Sequence, residues 1–312
     1  MRSGISAFAA LAVFAWGTSA AAYCRTMSCE LGEQPAHPCP RDDNGCVTQG
    51  VPLHWASSCL NYAVQMDGSA KSNLDADQIE AIAEQAFLAW KSAKCPGGGS
   101  PNFEVHFQGF VSCDRREAVC GTADANVNVI MLHDTDWPYA GQIGGSDDIG
   151  VTTPVGSTKS GLIVDADVEV NSENFGFKPD PSSAMMNTSL LYVFAHEFGH
   201  FLGLAHSNVA GALMIPRYQS VAMSVNLVSA DDAAAICAAY PPGPALTCTA
   251  SSPAYDTCQV AAGADPPCNL AAITHPKSSC SCDLAGTRSS SAPSLAALSA
   301  LILTLVRRRR AR

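Results

Sequence analysis

The chain has 312 residues, a formal net charge of −10 and 14 cysteines. Its acidic excess argues against a nucleic acid as partner, because phosphate groups repel an acidic surface, and mainly favours solubility. The excess within the body of the chain is larger than the total charge indicates, since five of the 18 basic side chains lie in the last six residues.

The N-terminal segment, residues 1–22, has the pattern of a secretory signal peptide. Arg2 precedes an apolar run over residues 7–16, and small residues at positions 20–22 form an A-x-A cleavage site. The apolar run is shorter than a membrane anchor requires. We therefore expect an exported protein from which this segment is removed.

All the cysteines follow the signal segment, and an even number in an exported chain is typical of a disulfide framework in an oxidising compartment. Residues 23–50 contain four of them and have no apolar periodicity, which predicts a cross-linked N-terminal extension too short to be a domain. The pairing cannot be deduced from sequence. Cys113 and Cys120 are the expected local pair, because the polar residues between them suit a short closed loop.

The first periodic segment predicts a helix. Residues 75–90 have apolar side chains at spacings of three and four, and Ser72 or Asn73 can cap the N-terminus. Apolar and polar residues then alternate, which predicts three strands, at residues 103–107, 127–132 and 163–170. One helix followed by several strands indicates a mixed α/β fold.

Two further helices are predicted, over residues 187–202 and 229–240, and Ser229 and Asp232 form a capping-box pattern at the start of the second. Residues 242–290 are then rich in cysteine and proline. This composition predicts a cross-linked linker or stalk and not a second core.

The chain ends with an apolar run and the basic sequence RRRRAR, within residues 291–312. The run is too short for an ordinary membrane-spanning helix. The segment resembles the C-terminal sorting tails of bacterial surface proteins, especially the myxobacterial type, which implies contact with the cell envelope or a sorting machinery and display at the cell surface. A plain C-terminal anchor that is never processed is the alternative.

The segment HEFGHFLGLAH contains the residues with the clearest chemistry. His196 and His200 lie one helical turn apart and face the same way, so that both can reach one zinc ion at about 2 Å. Gly203 can adopt the positive φ that ends a helix and turns the chain back, which makes His206 the third ligand. Glu197 follows the first ligand and is the predicted general base.

Three neutral imidazoles leave one coordination position open, where a zinc-bound water has its pKa lowered to roughly 7. Two histidines at this spacing are a weak signal by themselves, because such pairs are more often incidental. The extension through Gly203 to His206 makes the pattern specific. It predicts one catalytic zinc per chain.

The extended motif resembles that of the metzincin peptidases, and the following residues ALMIPRY resemble the matrixins among them. The resemblance implies that Met214 forms an apolar floor beneath the ligands. It also implies that Tyr192, Pro216 and Tyr218 line the pocket for the residue after the cleaved bond. Without the histidines, Met214 would be interpreted as an ordinary core methionine.

The resemblance implies an α+β catalytic domain over residues 51–241, with a twisted, mostly parallel sheet, an active-site helix and a C-terminal helix. Two departures from the matrixin pattern are visible. The sequence shows no PRCGxPD-type cysteine switch and leaves no room for a helical prodomain, so we do not expect latency by a thiolate on zinc; Cys29 or Cys46 is more simply expected to form a disulfide with another cysteine. His133 alone does not make a second, structural zinc site.

Three carboxylates alternate along the predicted strand at residues 163–170. Asp165, Asp167 and Glu169 share one strand face and could bind a structural calcium with oxygens from a loop such as residues 146–148. The alternative is a solvated strand face.

These features together predict a secreted or surface-anchored zinc metalloendopeptidase that acts on polypeptides as a monomer. The alternative is a surface adhesion or structural protein with a catalytically idle metzincin domain, which an intact Glu197 argues against. A zinc hydrolase acting on a non-peptide bond is disfavoured by the methionine turn.

Overall fold

The computed structural model describes residues 22–32, 37–112, 127–140, 145–179, 189–218, 227–248, 270–272 and 281–284. The signal segment up to residue 21, the Cys113–Cys120 pair and the tail from residue 291 lie outside the described residues. Within the described ranges, no helix has the length and apolar character that a membrane span requires.

The architecture is a mostly parallel sheet packed against helices, as predicted. The first six strands are β1 (His54–Trp55), β2 (Cys59–Gln65), β3 (Glu104–Val111), β4 (Val129–Leu132), β5 (Asp148–Ser157) and β6 (Leu162–Val170). Their order is β3-β2-β4-β6-β5, with β1 beside β6. All these pairs are parallel except β5 with β6, which is antiparallel.

Three short strands complete the sheet on the β5 side within the described residues: β7 (Arg217–Tyr218), β8 (Leu270–Ala272) and β9 (Ser281–Leu284). Both β8 and β9 run antiparallel to β5, and β9 also runs parallel to β7. Two pieces of the predicted linker over residues 242–290 therefore belong to the sheet.

The predicted strands correspond to β3, β4 and β6, whereas β2 and β5 were not predicted. Nine of the ten residues of β5 are buried, so both faces are covered and no alternation of apolar and polar residues marks the strand. Thr152, Thr153 and Pro154 interrupt its apolar sequence as well.

The helices are α1 (Ala76–Lys91), α2 (Leu190–Phe201) and α3 (Ala230–Ala239). The predicted cap of α1 at Ser72 or Asn73 was wrong, because Asp75 caps the helix and forms a capping box with Gln78. Asn73 has a φ of 53° in the turn that precedes the helix. The capping box of α3, between Ser229 and Asp232, is confirmed.

The main core includes buried side chains of the sheet and of α1 and α2, and α1 packs directly on α2 within it. Phe87 of α1 stacks on Phe198 of α2 with ring centroids 3.8 Å apart, and Trp90 is fully buried beside them. Burial of an aromatic side chain contributes several kcal/mol, about 3–5 by truncation to alanine. These contacts hold α2, the helix of the histidine motif, in place.

Four disulfides join eight cysteines of the described ranges. Two of them, Cys24–Cys46 and Cys29–Cys39, lie within the N-terminal extension. Cys29 and Cys46 are therefore each in a disulfide, as expected, but with different partners. The other two, Cys59–Cys248 and Cys95–Cys237, join residues far apart in sequence and tie the end of the domain to its beginning.

Candidate active site

The helix α2 is buried along almost its whole length, and aromatic side chains donate hydrogen bonds to several of its backbone carbonyls. The indole nitrogen of Trp90 donates to the Ala195 carbonyl at 2.7 Å. At the C-terminal end, the Trp55 indole donates to the Phe201 carbonyl at 2.8 Å, and the Tyr240 hydroxyl donates to the Leu202 carbonyl at 3.2 Å. The last carbonyls of a helix have no partner within the helix, so these donors permit its end to be buried.

The chain leaves the helix at Gly203, which has a φ of 87°, as the motif predicted. A Cβ atom at this position would lie 2.8 Å from the Leu53 carbonyl oxygen. Both the backbone conformation and the close approach of Leu53 therefore require glycine. The turn brings His206 back beside His196 and His200.

The three histidines form one cluster. Their side chains each offer a ligand atom, and these atoms all lie within 4.8 Å of one another. The Nε2 atoms of His200 and His206 are 3.3 Å apart. Among the residues that the structure describes, no other group of three His, Cys, Asp or Glu side chains converges in this way.

The ring orientations leave Nε2 of two histidines directed at the cluster. Nδ1 of His196 is 2.7 Å from the Leu213 carbonyl oxygen, and Nδ1 of His200 is 2.9 Å from the Leu204 carbonyl oxygen. A carbonyl can only accept, so Nδ1 carries the proton and donates in each ring, which leaves Nε2 as a lone-pair donor. His196 Nε2 is buried and has no hydrogen-bond partner among the described residues, which fits a metal ligand.

Both helix histidines are neutral at physiological pH. Burial, together with the neighbouring His200, lowers the pKa of His196 to about 3. Burial also lowers the pKa of His200 to about 4. Neutral imidazole is the form that binds a metal ion, so these two ligands fit zinc without first losing protons.

Glu197, which follows His196 on α2, is fully buried, and β5 positions its carboxylate. The Thr152 hydroxyl donates to Glu197 Oε2 at 2.7 Å and lies 3.0 Å from the backbone oxygen of the same residue. A Cβ atom on Gly150 would lie 2.9 Å from Oε1. The backbone of β5 therefore packs directly against the carboxylate, and a side chain at Gly150 would displace it.

Met214 lies under α2 with its side chain almost fully buried. A Cβ atom on Gly199 would be only 2.2 Å from the Met214 sulfur, so the absence of a side chain at Gly199 permits this contact. The turn that holds Met214 is fixed by Asp232, whose carboxylate accepts the backbone N–H groups of Leu213 at 2.7 Å and Met214 at 3.1 Å.

The predicted pocket residues lie in three different settings. Tyr192 is 7 % exposed and belongs to the main hydrophobic core. Pro216 is half-buried on the segment after Met214, and Tyr218 lies in β7, where only its backbone is described. Their role in specificity stays a prediction.

The three carboxylates of β6 are not a solvated face, so that alternative was wrong: Asp165, Asp167 and Glu169 are each 1 % exposed. Asp167 accepts the Val129 backbone N–H at 2.8 Å. Glu169 contacts His133 Nε2 at 3.0 Å, and it also accepts the hydroxyl of Tyr139. A structural calcium at these residues stays a prediction.

The roles of Thr152 and Asp232, which position the site from a distance, could not be recognised in the sequence. No sequence pattern links Thr152 to Glu197, because a buried threonine in a strand has no characteristic spacing from the residue that it contacts. The sequence predicted Asp232 as part of a helix cap. Its hydrogen bonds to the turn that holds Met214 depend on the packing of α3 beside that turn, which the sequence does not show.

A helix with two histidines one turn apart, a glutamate after the first and a third histidine returned by a glycine turn is the arrangement of a metal-dependent peptidase. The family model described as Matrixin matches residues 54–241 of the chain. The chain belongs to the matrixin family.

Individual relatives agree with this family. Matrix metalloproteinase-C of Caenorhabditis elegans is 27% identical over 203 residues, which cover 61% of this chain and 29% of that protein. Neutrophil collagenase of Homo sapiens is 50% identical over 54 residues, which cover 17% of this chain and 12% of that protein. The chain thus spans less than a third of the length of these relatives.

Proposed function

We propose that this protein is an exported zinc metalloendopeptidase that hydrolyses peptide bonds in extended polypeptides. The observation that carries the proposal is the convergence of His196, His200 and His206, with the buried Glu197 next to His196 on the same helix. Membership of the matrixin family supports the same activity.

The three imidazoles would hold the zinc ion, which when bound supplies a water of lowered pKa and polarises the scissile carbonyl. The Glu197 carboxylate accepts the proton of the attacking water and then passes it to the leaving amine. Thr152 holds this carboxylate by donating to Oε2, so that its orientation is set before the substrate arrives. The buried surroundings exclude bulk water, which strengthens each of these interactions.

The test combines metal analysis with cleavage of a peptide library by the purified protein. We expect about one zinc per chain, and cleavage that stops with a chelator and returns with zinc. A protein that contains zinc and cleaves no peptide would favour the alternative, a surface adhesion or structural protein with an idle domain. A protein without zinc affinity would refute the proposed activity and would also favour that alternative.

Specificity is proposed to depend on Tyr192, one turn before His196 on the same helix. If its ring forms the floor of the pocket for the residue after the cleaved bond, the pocket is shallow and the enzyme prefers medium aliphatic residues such as leucine. We expect Tyr192→Ala to shift the preference toward longer side chains, with kcat/KM ratios changing by on the order of tenfold. Unchanged preference with lowered thermal stability would show that Tyr192 only fills the core.

Display at the bacterial cell surface is proposed from the signal segment and the basic tail. Deletion of residues 295–312 should release active enzyme into the medium, because the apolar run and the arginines would no longer hold it in the envelope. Cell fractionation with activity assays measures this. Unchanged fractionation would contradict the sorting role of the tail.

A further inference from the structure

The N-terminal extension lies before residue 54, where the match to the matrixin family begins, and yet it contacts the histidine motif directly. Arg25 and Leu204 form an antiparallel bridge. The Thr26 backbone N–H donates to the Gly203 carbonyl at 3.1 Å, and the Ala205 N–H donates to the Cys24 carbonyl at 3.1 Å. A short two-stranded ladder thus joins residues 24–26 to residues 203–205.

Residues 203–205 form the turn between the second and third histidines. The Leu204 carbonyl accepts from His200 Nδ1 at 2.9 Å and also from the Thr26 hydroxyl at 2.9 Å. Thr26 therefore fixes the acceptor that orients the His200 ring. In metal sites, loss of the group that accepts directly from a ligand histidine commonly costs about 10- to 100-fold in metal affinity. Thr26 acts one hydrogen bond further out, so we expect its loss to lie at the lower end of that range.

Arg25 holds the same turn from the other side. Its Nε donates to the Gly203 carbonyl at 3.1 Å, and its Nη2 donates to the Leu53 carbonyl at 2.6 Å. The guanidinium therefore ties the residue with positive φ to the chain segment that packs against it. A lysine has one nitrogen in place of the two that donate here, so it cannot reproduce this geometry.

The extension is itself anchored, so that it can act as a rigid support. The Cys24–Cys46 disulfide closes the segment that contains Arg25 and Thr26. Beyond the turn, the Asn208 side chain donates to the Asn44 carbonyl. Together with the ladder at residues 203–205, this contact holds the extension on both sides of the third histidine.

We propose that Arg25 and Thr26 are positioning residues of the zinc site, and that the cross-linked extension holds the 203–205 turn so that His200 and His206 keep ligand geometry. The inference rests on the proposed zinc function. It adds to the site an element that the family match does not include.

The experiment measures zinc affinity by competition with a chromogenic chelator, in the full chain and under conditions where the zinc-free protein is folded. Thr26→Val removes the hydroxyl without changing the shape of the side chain, and we expect it to weaken zinc binding about tenfold. Arg25→Ala should weaken binding at least as much, and Arg25→Lys should fall between Arg25→Ala and the wild type.

Thr48→Val and Arg41→Ala are matched controls in the same extension. Thr48 donates to the Pro40 carbonyl, and Arg41 donates to the Gly45 carbonyl and pairs with Glu30, so these partners all lie within the extension. We expect zinc affinity within about twofold of the wild type for both. The wild type is measured alongside the variants. If the wild type itself bound no zinc, the proposed function would be refuted; if the wild type bound zinc and the variants bound it equally well, only this inference would be refuted.

Thermal unfolding of the zinc-free variants separates positioning from plain stabilisation. Thr26→Val with lowered zinc affinity and a melting temperature close to the wild type supports the proposal. Wild-type zinc affinity in both Thr26→Val and Arg25→Ala, with or without a lower melting temperature, would overturn it, because the extension would then stabilise the fold without affecting the ligands.

Discussion

Replacement of Glu197 by glutamine should abolish peptide hydrolysis and leave zinc binding intact. Glutamine has nearly the same shape, and its side-chain oxygen can still accept the hydrogen bond that Thr152 donates to Oε2. It cannot accept a proton from the attacking water, so the loss is that of general base catalysis, roughly 10²–10⁴-fold or more in kcat/KM. Kinetics with a cleaved library peptide and zinc analysis on the same sample measure both parts of the result.

Glu84→Gln is the matched control, because Glu84 is exposed on α1 and its change removes the same charge. We expect full activity from this variant. Near-native activity of Glu197→Gln would show that another group is the base. Loss of zinc from Glu197→Gln would show that the carboxylate supports the metal site and would leave its catalytic role without support.

Replacement of His200 by alanine should remove the metal. Only His196 and His206 would remain of the cluster, and two imidazoles leave a zinc site incomplete. We expect zinc content to fall from about one per chain to near zero and activity to disappear. Metal analysis after dialysis against a weak chelator measures the change.

The same variant should also lose the stabilisation that bound zinc provides. A ligand at about 1,000 times its Kd stabilises the folded state by about 4 kcal/mol, so the zinc-loaded wild type should unfold at a clearly higher temperature than His200→Ala. Removal of zinc from the wild type should abolish most of this difference. His133→Ala is the control, because His133 is also largely enclosed, in contact with Glu169 and outside the cluster. A zinc-loaded His200→Ala would contradict the assignment of the ligands.

The histidine motif could be predicted from the sequence because its geometry is local. The spacing of four residues places His196 and His200 on one helix face, whatever surrounds the helix. The positive φ at Gly203 and the capping box at Ser229 are also properties of a few consecutive residues, and both agree with the structure. The alternating strands β3, β4 and β6 belong to the same group.

The remaining elements depend on contacts between residues far apart in the chain. Strand β5 is buried on both faces, so it has no periodic pattern, and its Thr152 reaches Glu197 across 45 positions of sequence. The burial of Asp165, Asp167 and Glu169 could not be deduced from their alternation, because alternation places side chains on a face and does not say what covers it.

The sequence by itself thus determined the class of chemistry, through three histidines and a glutamate whose spacing is set by the helix and one glycine turn. Only the tertiary structure decided which residues orient these groups. Thr152 contacts the general base, Asp232 contacts the methionine turn, and Arg25 and Thr26 contact the turn before His206. The physical reason is that a hydrogen bond needs its donor and acceptor within about 3 Å. For residues separated by many positions, that distance is set by packing and not by spacing.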